Sequence, residues 1–422
     1  SIFSIFLFSY LRLMRKLIGN IALLAGILPE KTKWKSGSSM KELEAIPDAW
    51  LLIENNRIND FGSGACPVTP DVFIDAEGGI VMPAFCDSHT HLVYAGSRED
   101  EYMHKVMGLS YEEIAKRGGG ILNSASLLQQ TSEHELFRQS VERAWEIISL
   151  GTGSVEIKSG YGLTTVDEVK MLRVARRIGE ETPLKVRTTF LGAHSFPAEF
   201  RENRNGYVDL IVREMIPAVA GENLADYIDV FCDRGFFTPE QTIRILEAGA
   251  KFGLQPKIHA NELDFSGGIQ VGVKNNARSV DHLEFTGDEE IALLLGSNTM
   301  PTLLPGASLF LGMKYAPARR MIDAGLPVAL ASDFNPGSSP SGNMKLIMSL
   351  GMMQMKMLPT EVINATTING AYAMGLEDIT GSVTRGKSAD LLITRKIPGI
   401  NYIPYAYGSD IISKVILQGE KV

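Results

Sequence analysis

The feature of this sequence that most constrains its fold is a regular alternation, through the middle of the chain, of short apolar runs and helix-length segments. The apolar runs that predict strands are VMPAFCDSH, GSVEIKSG, LKVRTTFLGAH, YIDVFCD, PKIHANE, ARSVDHLEF, TMPTLLPG and LPVALASDFNPG. Parallel strands have this continuous apolar character because helices cover both faces of their sheet. Eight such strands alternating with helices predict an α/β fold, a (β/α)8 TIM-like barrel.

Two helices of this region carry recognisable starting signals. Thr165 and Glu168 have the spacing of a capping box, in which the first residue caps the helix and the fourth returns the hydrogen bond. Thr238 is followed by Pro239, the order expected of a cap and the first helical position. The sequence therefore predicts that helices begin at these two places.

Both ends of the chain consist of shorter strand-like runs separated by turns. We expect residues 14–79 and 385–422 to build one small β-sandwich module, and residues 80–384 to form the barrel. Residues 1–13 begin with an apolar run that positive charges follow rather than precede, so a cleavable signal peptide is not indicated. We expect this segment to be a processed leader or upstream sequence.

Composition excludes several classes of protein. Acidic residues number 49 against 41 basic ones, and a net charge of −8 argues against a dedicated nucleic-acid-binding protein. The 3 cysteines are far apart, which excludes a disulfide-stapled scaffold and a cysteine-type zinc ribbon. No apolar run approaches the roughly 20 residues that a membrane span needs. A cytoplasmic protein without membrane or nucleic-acid partners is predicted.

The positions of the histidines indicate a metal site. Five of the 7 histidines and one aspartate fall at the ends of predicted strands, namely His89, His91, His194, His259, His282 and Asp333. Active sites of (β/α)8 barrels lie where the strands end, and His89 and His91 share one face because alternate strand residues do. Imidazoles and a carboxylate around a cation, with a position left for water, are typical of hydrolytic metal sites. The sequence therefore predicts a metal-dependent hydrolase.

Motifs along three quarters of the chain carry a more specific resemblance. The segments PAFCDSHTHLVYAGSRE, EIKSGYGL, FLGAH, KIHANE, VDHLEF, LLPGA and ASDFNPGS occur in this order between residues 81 and 390. In this combination they resemble the imidazolonepropionase family of the amidohydrolase superfamily, which acts in histidine degradation. The resemblance implies an enzyme that hydrolyses a ring C–N bond of 4-imidazolone-5-propanoate to give N-formimidoyl-L-glutamate.

The resemblance also implies which residues bind the metal. His89, His91, His259 and Asp333 match the ligands of a single metal ion, either divalent zinc (Zn²⁺) or iron (Fe²⁺/Fe³⁺). Superfamily members with two metals bridge them with a modified lysine on the fourth strand, and YIDVFCD contains no lysine. Lys158 and Lys257 lie on other strands, where a structural role is expected. Glu156 and Asp229, which lie on strands, are candidates for hydrogen bonds to the ligands.

For the substrate, the resemblance implies a carboxylate-binding arginine and a set of ring contacts. Arg98 matches the carboxylate clamp, since a guanidinium group binds a carboxylate through two hydrogen bonds. The other matching positions are Tyr111, Tyr161, His194, Glu262, Asn335, Gly337 and Ser338. His282 and Asp333 are expected to accept the proton of the attacking water. Glu262 is the candidate donor to the departing ring nitrogen, although family members also have Gln there.

Two other functions fit parts of this pattern. A deaminase acting on a ring amidine would share the histidines and the aspartate but would differ at Arg98, Tyr161 and Asn335. A non-catalytic scaffold of the same fold would be expected to have lost metal ligands, and none is lost here. A homodimer is a further expectation that rests on the family alone.

Overall fold

The computed structural model describes residues 14–108 and 120–422. The expectation for residues 1–13 and the prediction for Tyr111 lie outside these residues. The strands, in chain order, are β1 (Arg15–Ala25), β2 (Ala45–Glu54), β3 (Arg57–Ser63), β4 (Val72–Asp75), β5 (Ile80–Pro83), β6 (Phe85–Thr90), β7 (Thr152–Lys158), β8 (Lys185–Ala193), β9 (Tyr227–Cys232), β10 (Gln255–Ala260), β11 (Ser279–His282), β12 (Met300–Leu303), β13 (Ala329–Leu330), β14 (Leu391–Thr394), β15 (Ile412–Leu417) and β16 (Glu420–Lys421).

Helices occupy most of the chain between the barrel strands. They are α1 (Glu99–Val106), α2 (Ile121–Gln130), α3 (Glu133–Ser149), α4 (Thr165–Glu181), α5 (Arg204–Leu210), α6 (Ile216–Gly221), α7 (Pro239–Ala250), α8 (Gly268–Lys274), α9 (Asp288–Leu295), α10 (Pro305–Leu311), α11 (Ala318–Asp323), α12 (Met344–Met355), α13 (Pro359–Thr366), α14 (Ile368–Ala373) and α15 (Tyr402–Tyr405). Within the described ranges, no helix has both the length and the apolar character needed to cross a membrane.

Strands β6 to β13 form the predicted barrel. Each strand pairs in parallel with its neighbour in the chain, in the order β6 to β13. Backbone hydrogen bonds join the two ends of this sheet. The Asp333 N–H donates to the His89 carbonyl and the His91 N–H donates to the Phe334 carbonyl, each at a distance of 3.0 Å. The prediction of a (β/α)8 barrel is therefore confirmed.

The two ends of the chain come together in one separate mixed sheet, which confirms that both termini build one small β-module, and its sandwich arrangement stays a prediction. Its strand order is β16-β15-β14-β5-β1-β2-β3, and β4 pairs with β1. Its own apolar core includes Ile18, Leu51, Val81, Leu391 and Ile416. Strand β5 pairs with β1 and β14 in this sheet. Only Ala84 separates β5 from β6, so the chain passes directly from this sheet into the barrel. The division of the chain at residues 79/80 and 384/385 stays a prediction.

The two predicted helix starts have different outcomes. At α7 the Thr238 hydroxyl accepts the Gln241 N–H at 3.2 Å, and Pro239 is the first helical residue, as predicted. At α4 the N-cap is Thr164, so the prediction of Thr165 was wrong by one residue. Thr164 has the extended backbone that a cap requires, whereas Thr165 is already helical.

Glu168 does not complete the predicted capping box, because its side chain is used elsewhere. Its carboxylate is fully buried and accepts the N–H groups of Gly160, Gly162 and Leu163 at 3.1, 2.8 and 2.8 Å. These three residues flank Tyr161 in the loop that follows β7. The first turn of α4 therefore fixes a loop that carries a predicted substrate residue.

We predict that Glu168→Ala lowers the free energy of unfolding by about 3 kcal/mol, because buried N–H groups lose their acceptor at about 1–3 kcal/mol each. Urea denaturation measures the change. Glu180→Ala, at an exposed position on the same helix, is the control and should stay within about 0.5 kcal/mol of the parent protein. Equal stability of the two variants would contradict the role assigned to Glu168.

Candidate active site

The side chains predicted as metal ligands lie together where the barrel strands end, and all of them are buried. Asp333 Oδ1 is 3.5 Å from Nε2 of both His89 and His91. Nε2 of His259 is 3.4 Å from Nε2 of His91. The end of β6, strand β10 and the segment after β13 thus bring the four donor groups to one place.

These donor atoms suit a cation. His89 Nε2 is buried, and no described residue forms a hydrogen bond with it. Ligand atoms of His89, His91 and Asp333 lie within 4.8 Å of one another, as do those of His89, His259 and His282. Neutral imidazoles with a carboxylate are a common donor set for zinc and for iron. The cluster can therefore hold a metal ion.

Two buried carboxylates fix the orientation of two of the imidazoles. Asp281 Oδ2 lies 2.6 Å from His89 Nδ1, and Asp229 Oδ2 lies 2.9 Å from His259 Nδ1. A carboxylate at Nδ1 keeps the proton on that nitrogen and leaves Nε2 as the donor to a metal. Both Nε2 atoms point into the cluster, so the two rings present the atom that a metal would need.

Sequence reasoning missed Asp281 and left Asp229 without a definite role. Both side chains are buried within barrel strands, and the other residues of the strand that carries Asp229 are apolar. A carboxylate in such a strand is costly to bury unless it is paired. That cost was the available signal, and it could have singled out both residues before the fold was known.

The backbone is strained at two residues of the cluster. His282 has a φ of +84° and Asp333 a φ of +53°, and both are buried side chains in the left-handed region. Non-glycine residues adopt this conformation at a cost and commonly do so at functional sites. The strain shows that the fold holds these two side chains against their local preference.

Two carboxyl groups lie beside His282 in the candidate site. Glu262 Oε2 is 3.8 Å from His282 Nε2, and Glu284 Oε2 is 3.9 Å from His282 Nδ1. Burial, together with the nearby charge of Glu284, raises the pKa of Glu262 well above its ordinary value. Burial also raises the pKa of Glu284 to about 8. His282 is therefore placed between two carboxyl groups that favour the protonated form at neutral pH.

Burial changes the proton affinity of other groups in the cluster. It raises the pKa of Asp333 to about 7 and lowers the pKa of His194 to about 3. The low pKa keeps His194 a neutral imidazole, whose Nδ1 lies 3.0 Å from the Gly160 carbonyl oxygen. The neutral ring therefore holds its proton toward Gly160 and has Nε2 as an acceptor.

Arg98 lies at the cavity with one edge of its guanidinium already occupied. Its Nε and one terminal nitrogen donate to the same Glu101 carboxylate oxygen at 2.8 and 2.6 Å. A Cβ built on Gly337 would lie 2.0 Å from the other terminal nitrogen, so only glycine leaves room for Arg98 there. Glu101 and Gly337 together determine where the guanidinium points. Sequence reasoning did not identify Glu101.

The loop after Asp333 is organised by Asn335. Its Oδ1 accepts the N–H groups of Gly337 and Ser338, both at 2.8 Å. The Ser338 hydroxyl lies 3.3 Å from Asp333 Oδ2. Asn335 therefore holds the loop that contacts Arg98, and Ser338 connects this loop to the carboxylate of Asp333.

These groups line one cavity of about 470 Å³. All the described residues that the sequence predicted as site residues line this cavity except His89. They are His91, Arg98, Tyr161, His194, His259, Glu262, His282, Asp333, Asn335, Gly337 and Ser338. Aromatic residues that were not predicted complete the wall, among them Tyr102, Phe231, Phe236 and Phe310. A largely apolar cavity with a few converging polar groups is typical of a small-molecule site.

Most of this chain is similar in sequence to known proteins. Residues 80–422 match the amidohydrolase family. The curated imidazolonepropionase of Christiangramia forsetii is 53% identical over 411 residues, which cover 97% of this chain and 100% of the relative. That of Alkaliphilus oremlandii is 42% identical and covers 92% and 94%. This chain belongs to the imidazolonepropionase family of amidohydrolases.

Membership confirms the predicted family and the predicted class of enzyme, a metal-dependent hydrolase of C–N bonds in cyclic amides. It favours neither the ring-amidine deaminase nor the non-catalytic scaffold.

Solved structures of the same fold include a triazine hydrolase variant (TM-score 0.74, 16% identity, 96% of this chain and 94% of that one). Another is the guanine deaminase of C. acetobutylicum (TM-score 0.72, 16% identity, 97% and 100%).

We predict that His259→Ala lowers the affinity for a divalent metal by at least about 100-fold, since one of four ligands is removed. Metal content after dialysis against a chelator measures the change. His134→Ala, at an exposed position on α3, is the control and should keep the metal of the parent protein. Retention of metal by His259→Ala would show that the ion is held elsewhere.

Proposed function

We propose that this protein hydrolyses 4-imidazolone-5-propanoate to N-formimidoyl-L-glutamate in histidine degradation. The observation that carries the proposal is the pairing, within one cavity, of a held guanidinium with a His/Asp cluster suited to a metal. A small ring with a carboxylate tail matches this pairing, because the tail can be anchored by Arg98 while the ring faces the cluster. The named activity of the curated relatives supports the same substrate.

His89, His91, His259 and Asp333 would hold the metal, as one zinc or one iron ion per chain. A divalent cation in such a site acts as a Lewis acid that lowers the pKa of water to about 7 and polarises a carbonyl oxygen. Asp229 and Asp281 support this function because they keep Nε2 of two imidazoles free for the ion. The ligand set accepts either metal.

Arg98 would bind the substrate carboxylate. Because Glu101 occupies the Nε edge, the end of the guanidinium with two terminal nitrogens is left for the substrate. A guanidinium donates two parallel hydrogen bonds to a carboxylate, so this end is enough for a bidentate contact. Glu101 therefore determines the direction from which the substrate tail is held.

The ring would lie against Tyr161 and His194, whose ring centroids are 5.4 Å apart. His194 offers an acceptor nitrogen because its other nitrogen faces the Gly160 carbonyl. Asn335, Gly337 and Ser338 border the same space, and Tyr111 is proposed as a further contact from the family resemblance. Neutral donors and acceptors of this kind suit an uncharged ring with both N–H and C=O groups.

Two proton transfers would be made by residues of the chain. Water adds to the ring carbonyl carbon, and His282 or Asp333 accepts its proton. The bond between that carbon and the ring nitrogen then breaks, and the nitrogen needs a proton. Glu262 is the proposed donor, because its raised pKa keeps a proton on it at neutral pH and it lies beside His282. We propose further that the protein works in the cytoplasm as a homodimer.

The test is hydrolysis of 4-imidazolone-5-propanoate by the purified, metal-loaded protein, with the product identified by mass spectrometry. We expect N-formimidoyl-L-glutamate without ammonia. Release of ammonia with the ring intact would show a deaminase, and bound metal without turnover of this compound would overturn the proposed substrate. Arg98→Met should raise KM, while Arg138→Met, at an exposed position on α3, should not.

We predict that Gly337→Ala raises KM by about 10-fold or more, because the new methyl group would displace the Arg98 fork and weaken a charge-assisted pair worth about 1.5–3 kcal/mol. Steady-state kinetics measures it. Gly221→Ala is the control, since a Cβ there meets no atom within 4 Å. An analogue without the carboxylate should be hydrolysed equally by both variants, and a matching loss on that analogue would place the damage outside the clamp.

We predict that Glu262→Gln lowers kcat by about 100-fold or more with little change in KM, because an amide cannot supply the proton to the leaving nitrogen. Single-turnover kinetics isolates the chemical step. Glu289→Gln, at an exposed position on α9, is the matched control. An unchanged kcat would assign the proton donor to another group, with His282 as the next candidate.

A further inference from the structure

A cluster of five charged residues is buried inside the barrel beneath the ligands. It consists of Glu156, Lys158, Asp229, Lys257 and Asp281, and each of these side chains is shielded from solvent. Lys158 Nζ lies 2.6 Å from Glu156 Oε1, 2.8 Å from Asp229 Oδ2 and 3.5 Å from Asp281 Oδ2. Lys257 pairs with the other oxygen of Glu156. We call this group the buried ion cluster.

Lys158 shares its partner atoms with the ligand imidazoles. Asp229 Oδ2, which faces Lys158, is also the atom that faces His259 Nδ1 at 2.9 Å. Asp281 Oδ2 is likewise the atom that faces His89 Nδ1 at 2.6 Å. One ammonium group therefore lies behind both carboxylates that orient a ligand, and it reaches them through the same two oxygen atoms.

This arrangement limits the directions that the carboxylates can take. The Lys158 ammonium group donates hydrogen bonds to Glu156 and Asp229, and it lies within ion-pair distance of Asp281 at 3.5 Å. Burial by itself would lower the pKa of Lys158, but the three carboxylates raise it above the ordinary value. A permanent charge here keeps each Oδ2 turned toward the space between the ammonium group and an imidazole.

We propose that Lys158 is a positioning residue of the metal centre, which aligns His89 and His259 by holding the carboxylates of Asp281 and Asp229. This inference rests on the proposed ligand role of the two histidines. Among the described residues, no hydrogen bond or ion pair joins Lys158 to a proposed ligand, and Lys158 does not line the cavity. Its effect on the metal passes through Asp229 and Asp281, in the way that outer hydrogen bonds tune ligand orientation and basicity.

Lys257 provides a matched control within the same cluster. It too is fully buried, on β10, and it pairs with Glu156. Its other hydrogen bond goes to the Ser88 carbonyl at 3.5 Å, and no ion pair joins it to Asp229 or Asp281 among the described residues. Loss of either lysine removes one buried ammonium group, but only loss of Lys158 frees the two carboxylates that orient ligands.

The experiment compares Lys158→Met with Lys257→Met, because methionine keeps the volume of the side chain without its charge. Zinc affinity is measured by competition with a chromophoric chelator, and the cobalt-substituted proteins are compared by visible spectroscopy. We expect Lys158→Met to lose about 10- to 100-fold in zinc affinity and to shift the cobalt bands. We expect Lys257→Met to stay within about 3-fold of the parent protein with unchanged bands.

The outcomes distinguish the positioning role of Lys158 from the presence of the metal site. Parent-like affinity and spectrum in Lys158→Met, or equal losses in both variants, would overturn the positioning role while leaving the metal site intact. Failure of the parent protein to bind either zinc or iron would instead contradict the proposed function. If Lys158→Met does not fold, Lys158→Gln is measured, since it keeps one amide donor. An affinity for this variant between those of the parent and of His259→Ala supports the inference, and parent affinity overturns it.

Discussion

The hydrogen bonds that close the barrel are made by residues of the proposed metal site and by their chain neighbours. The His89 carbonyl accepts the Asp333 N–H, and the His91 N–H donates to Phe334, so the first and last strands meet at the site itself. Closing the sheet therefore brings an imidazole pair and a carboxylate together although more than half of the chain separates them. The left-handed backbone of Asp333 is the local cost of this junction.

The interior of this barrel is unusual in being charged rather than filled only with branched apolar side chains. Lys158 and Lys257 lie among carboxylates at its centre, and each ion is paired. Burying such charges is expensive, and replacing them by apolar side chains often leaves stability unchanged or raises it. Lys158 contacts the two carboxylates behind His89 and His259, so in the proposed role it serves the orientation of the site rather than the stability of the fold.

The side of the site that faces the substrate is built from loops, and two of these loops are held by a buried or half-buried acid. Glu168 holds the segment around Gly160, whose carbonyl faces His194. Glu101 holds Arg98 through two hydrogen bonds and also accepts the Gly120 N–H. Loops are mobile unless their backbone groups are satisfied, so these carboxylates give loop residues the precision that a strand would provide.

The sequence by itself determined the alternating strands and helices, the positions of the histidines at strand ends, and the family, because these depend on local periodicity and on contiguous motifs. The partners of those histidines could not be derived in the same way. Asp281 pairs with His89 across 192 positions, and Asp229 pairs with His259 on a neighbouring strand. The contact of Gly337 with Arg98 likewise depends on the close approach of two distant segments. Those contacts exist only once the barrel has closed.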